Sequence, residues 1–111
     1  MIDTSVLHKI FESEEMIQKF LISFRLEIQK SLQQLEECVT SKDYEQAGIV
    51  AHSIKSLLKY LNEFVSAEIA SDIEFICENP GNINHDLIKK MIKNLQTEME
   101  NVLIKVNKKI I

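Results

Sequence analysis

At 111 residues the chain holds one domain's worth of sequence, and 45% hydrophobic against 27% charged residues is the balance of a folded protein rather than a disordered one. Two Gly and one Pro are too few for the turns of an all-β fold, which leaves helices. A formal net charge of -4 repels phosphate backbones, so nucleic acid is not an expected partner.

A short helix opens near Asp3, Thr4 or Ser5 and ends around Glu12. The first long helix runs from about Ser13 to Val39. Ser13 is its N-cap, Glu14 and Glu15 suit the positive end of the dipole, and Ile17, Phe20, Phe24, Ile28, Leu32, Leu35 and Val39 recur at spacings of three and four. After the polar break Thr40 to Asp43, a second long helix capped by Asp43 carries Tyr44, Ala47, Ala51, Ile54, Leu58 and Leu61 on its core face. Asn62 tolerates the left-handed conformation that ends it.

A third helix is expected from about Val65 to Glu78, with Val65, Ile69, Ile73 and Ile76 as its stripe. Asn79-Pro80-Gly81-Asn82 stops it. The last helix spans about Asn84 to Lys108 through Leu87, Met91, Leu95, Met99, Val102 and Val106. The expectation is a single all-α domain over residues 1–111: an antiparallel up-and-down four-helix bundle with a short additional N-terminal helix laid over one end.

Cys38 and Cys77 are isolated and read as free thiols, which points to a reducing compartment. No apolar run approaches the ~20 residues of a membrane span, and the first residues lack the segments of a signal peptide. No membrane partner and a cytoplasmic location are therefore expected.

Nucleotide-binding, zinc-protease and nucleophile-elbow motifs are absent, and His8, His52 and His85 show no metal-ligand spacing, so no metal site and no cofactor of its own are expected. His52 stands out by its neighbours. One residue past Ala51, it is turned about 100° from the core stripe, toward solvent. Gly48 and Ser56, one turn before and after it, are small and would leave the imidazole open to another protein. Lys55 and Lys59, on or beside the same face, could neutralise an anion formed on the ring. An exposed nucleophile beside cations suggests phosphoryl chemistry. His8, His85, Cys38 and Cys77 have no comparable setting.

The segment Ala51-His52-Ser53-Ile54-Lys55-Ser56 resembles the A-H-x-[LI]-K-G motif of histidine-containing phosphotransfer domains of multistep phosphorelays. Phe20-Leu21 with Phe24, then Leu32 and Leu35, Asp43, and Ala70-x-x-Ile73-Glu74 fall in the same register, so the resemblance covers roughly Met16 to Glu78. Ser56 and Asn62 stand where the family usually has Gly, and Leu57-Leu58-Lys59-Tyr60 is bulkier than the family's small residues there. The resemblance implies that His52 carries a phosphoryl group between aspartates of receiver domains, with Lys55 stabilising its charge and Gly48, Ser56 and Lys59 on the docking face. It implies receiver domains of a hybrid sensor kinase and of a response regulator as partners, with Mg²⁺ held by the receiver, and a monomeric phosphocarrier rather than a self-sufficient enzyme. The alternative is a helical module that binds or sequesters a signalling partner and transfers nothing.

Overall fold

A computed structural model describes residues 1–111, the side chain of Pro80 excepted. The chain is all-helical, with no strand among the described residues. In order come α1 (Ser5–Ile10), α2 (Glu14–Thr40), α3 (Tyr44–Lys59), α4 (Phe64–Glu78), a 3-10 turn (Pro80–Asn82) and α5 (His85–Lys109).

The starts of α2, α3 and α5 are fixed by local chemistry, the first two by the expected caps. Ser13 Oγ accepts from the Met16 amide at 3.2 Å, Asp43 Oδ1 from the Gln46 amide at 3.2 Å, and Asn84 Oδ1 from the Leu87 amide at 3.1 Å. Each satisfies a donor that would otherwise lack a partner, an effect of about 1 kcal/mol. The ends of α2 and α3 share one device. Lys42 (φ 60°) and Asn62 (φ 53°) adopt the left-handed region. The Asp43 amide then reaches Cys38 O at 2.8 Å, and the Glu63 amide reaches Leu58 O at 3.1 Å. Asn tolerates that backbone well; Lys42 takes it against a chiral cost of about 1–2 kcal/mol.

Helices α2 to α5 form a closed circuit of neighbours: α3 packs on α2 and α4, and α5 packs on the same two. One core runs through all of them, and Ile2, before α1, and Leu7, within it, are buried in it too. Burying each such Leu, Ile or Phe is worth roughly 1.5–3 kcal/mol. The N-terminal segment is tied to the α3–α4 turn by Asn62, whose amide donates to Asp3 at 2.9 Å. That bond, with the Ser5 amide, holds the Asp3 carboxyl down to about 2.

The core faces of α2 and α5 fall within a residue or so of the expected stripes. Leu21 and Ser31 are buried on α2 where Phe20 and Leu32 were expected, and Ile88 and Ile92 are buried on α5 in place of Leu87 and Met91. Helix α4 departs further. Its buried residues are Ser66, Ala67, Ala70, Ile73 and Cys77, while Val65, expected inside, is 68% exposed. The physical reason is the closeness of α3 and α4. Ala47, Gly48 and Ala51 are buried on α3, and a helix lying this near must turn its own small residues inward. Of the expected stripe, Ile73 is fully buried, Ile69 and Ile76 are half-buried against the core, and Val65 lies outside it.

Candidate functional site

Position 52 follows the core residue Ala51, so the twist of α3 carries His52 out of the core on the side facing α4. Its side chain is 59% exposed, as expected. The ring is nevertheless held. His52 Nδ1 lies 2.6 Å from Glu74 Oε2 on α4, and the second oxygen of that carboxylate, Oε1, accepts from Lys55 Nζ at 2.5 Å. Glu74 thus bridges the histidine and the lysine of the motif.

The electrostatics follow from burial. Glu74 is 12% exposed, and desolvation alone would favour its protonated form. The hydrogen bonds from Lys55 and His52 outweigh that and hold the carboxyl below its ordinary value. An ionised carboxylate only accepts, so Nδ1 donates to it and Nε2 points away from Glu74. Nε2 has no protein partner among the described residues.

The other expected site residues fare differently. Lys55 is not a free surface ammonium; it is 18% exposed and committed to Glu74. Ser56 is exposed, and its hydroxyl turns down onto its own helix to donate to His52 O at 3.1 Å, leaving the imidazole clear. Lys59 is exposed but makes no ion pair or hydrogen bond with the His52 cluster.

Gly48 corrects the expectation of an open, solvent-facing position, because it is buried. A residue four positions before His52 is rotated about 40° from it. On α3 that rotation leads toward α4. A Cβ built at Gly48 would stand 3.2 Å from Cys77 Cβ, atom against atom close to two backbones. Gly48→Leu is therefore expected to lower the melting temperature, the propensity gain of up to about 1 kcal/mol being exceeded by an overpacking cost of about 1–3 kcal/mol. Thermal melts followed by circular dichroism check this, and a raised melting temperature would contradict the close approach.

Glu74 is the functional residue that sequence reasoning missed as a participant, although it stood in the family register. A signal existed: His52 and Glu74 lie at similar sequence distances on either side of the Asn62 turn, and such residues meet when two helices fold back on each other.

Beside His52 an open groove of about 720 Å³ runs between α3 and α4. The other histidines and the cysteines stand apart from this cluster. His8 donates to Thr4 O and Glu14 Oε1, both at 2.8 Å, which raises its affinity for a second proton. His85 Nδ1 pairs with the Tyr44 hydroxyl at 2.8 Å. Both cysteines are free; burial pushes the Cys38 thiol up, and pushes Cys77 up to about 11, far from a reactive thiolate. Among the described residues no group of three or more His, Cys, Asp or Glu side chains is placed to hold a metal ion, and no helix is long and apolar enough to cross a membrane. Comparison of the chain with known protein families, with curated proteins and with solved structures finds no match.

Proposed function

We propose that this chain is a histidine phosphotransfer protein, carrying a phosphoryl group on His52 between aspartates of receiver domains. The observation that carries the reading is an exposed imidazole whose Nδ1–H is anchored on Glu74, leaving Nε2 as an unobstructed nucleophile beside Lys55. The circuit of α2 to α5, with α1 before it, is read as an antiparallel up-and-down four-helix bundle with a short N-terminal helix at one end.

In the reaction the Nε2 lone pair attacks the phosphorus of the receiver's aspartyl phosphate. The N–P bond forms, the O–P bond breaks, and the aspartate leaves as a carboxylate. The ring keeps its Nδ1 proton and gains positive charge, which Glu74 is placed to stabilise without taking the proton. Lys55, beside the same carboxylate, supplies charge for the phosphoryl oxygens. Mg²⁺ and the activated phosphate come with the receiver, so the protein's contribution is a positioned nucleophile. A second receiver's aspartate reverses the sequence. A monomer acting in the cytoplasm suits this role.

The direct test is to mix the protein with a receiver domain bearing labelled aspartyl phosphate and Mg²⁺. Label that moves to this chain and is acid-labile but alkali-stable supports phosphohistidine. Stable complex formation with no label on this chain would support the binding-only alternative instead.

Glu74→Gln retains a carbonyl oxygen for Nδ1–H but removes the negative charge, and Lys55→Ala removes the cation. Each is expected to slow transfer on the order of tenfold to a hundredfold, measured as single-turnover rate. Glu74 also leaves a signature in acid. Because the folded carboxyl of Glu74 is depressed, its contribution to stability is present above its unfolded value near 4.5 and is lost as pH falls through the lower folded value. Melting temperatures of Glu74→Gln should lack that component of the acid-side decline, and an unchanged decline would show that the carboxylate contributes nothing to it.

A further inference from the structure

The groove between α3 and α4 has a form that phosphoryl transfer alone does not require. Gly48, Ile49 and Cys77 form an apolar part of its lining, Gly48 and Cys77 being buried, and His52 lines it beside them. Glu45 on α3 and Glu78 on α4 also line it, and both are exposed. Neither has an ion-pair partner among the described residues, and Lys55, the cation of the His52 cluster, is held by Glu74. Two large apolar side chains lie on the same helix pair with nothing covering them: Ile49 is 55% exposed and Phe75, next to Glu74, is 68% exposed.

An apolar trough flanked by two unneutralised carboxylates is complementary to a side chain with an aliphatic stem and a cationic head. Building on the phosphotransfer reading, we infer that the groove receives a Lys or Arg side chain of the docked receiver. Its stem lies along Gly48 and Ile49, and its charge sits between Glu45 and Glu78. The exposed Ile49 and Phe75 favour a protein as the bearer of that cation, because they offer apolar area that a small cation would leave in water. A second copy of this chain is disfavoured, since the same face would bring Glu45 and Glu78 against carboxylates of their own kind. The groove then sets which receivers dock, while Glu74 and Lys55 act on the transfer itself.

The experiment uses the full chain and a panel of purified receiver domains, each carrying labelled aspartyl phosphate with Mg²⁺. Transfer to His52 is measured as kcat/KM from low to high salt. Glu45→Gln with Glu78→Gln, and Glu45→Lys with Glu78→Lys, are compared with the unaltered protein after circular dichroism has shown each to be folded. The expected result, for the receivers that transfer fastest, is a fall on the order of tenfold in kcat/KM for the Lys pair, carried by KM. A smaller fall for the Gln pair and a flatter salt dependence in both should accompany it. Replacing the receiver's groove-facing basic residue by Glu should restore transfer to the Lys pair. Transfer that proceeds at the same rate and salt dependence in all three proteins overturns the groove inference and leaves the phosphotransfer reading standing. If no receiver labels the unaltered protein, both fall together. A dimer in sedimentation that dissociates when Ile49 is made polar would assign the groove to a second copy and overturn the inference.

Discussion

His52→Gln should abolish phosphoryl acceptance completely, with no label on the chain from any receiver that labels the unaltered protein. Glutamine offers an amide nitrogen of similar reach to Glu74 but has no lone pair able to attack phosphorus. Because the side chain is 59% exposed and Lys55 continues to satisfy Glu74, stability should change by no more than about 1 kcal/mol. Loss of label in a protein that melts normally therefore isolates the chemistry. His8→Gln and His85→Gln are the matched controls: both rings are engaged in contacts between segments, and both variants should accept label at the unaltered rate. Label retained on His52→Gln would place the acceptor elsewhere and remove the basis of the proposed function.

The largest effect on stability is expected at Phe24, whose ring is among the largest fully buried side chains of the core. Phe24→Ala removes that buried surface and leaves a cavity that the packed helices cannot fully close, at a cost of about 3–5 kcal/mol. For a domain of this size the melting temperature should fall on the order of 10–25 °C. Phe75 provides the contrast. The same substitution there should stay within about 0.5 kcal/mol, because the ring already stands mostly in water. Denaturant titrations of the two variants measure the difference directly, and similar losses at both positions would show that α4 presents a different face to the core.

These contrasts also show how far the sequence could be read. Ser13 and Asp43 were legible as caps because a cap is decided by a side chain and an amide three residues away, whereas Asn84, read only as the start of the last helix, caps it in the same way. Phe24, Ile28 and Leu35 were legible because a helix lined with large apolar residues on one side buries that side. Helix α4 was legible in this way only at Ile73, with Ile69 and Ile76 half-buried beside it. Its sequence offers bulk at Val65 and Phe75 and smallness at Ser66, Ala67 and Ala70, and only the nearness of α3 decides that smallness wins.

The site divides along the same line. His52 could be placed outside the core from its own helix, since its exposure depends only on its rotation from Ala51. The fate of Lys55 and the burial of Gly48 depend on which side of α3 is covered by α4, and nothing within α3 states that. Lys42 belongs with the illegible features too. A left-handed lysine has no local signature, and its backbone follows from the hydrogen bonds that close the end of α2.

The bridge from His52 through Glu74 to Lys55 lies entirely within one helical hairpin, α3 and α4, with no side chain of α1, α2 or α5 in it. Under the proposed function, selection on chemistry is concentrated into a short stretch of the chain. The outward positions of α2 and α5, such as Leu26 and Ile104, are exposed and stand outside the bridge of His52, Glu74 and Lys55. They can be exchanged one after another, or shaped to meet an unrelated neighbour, while the hairpin keeps the same reactive geometry.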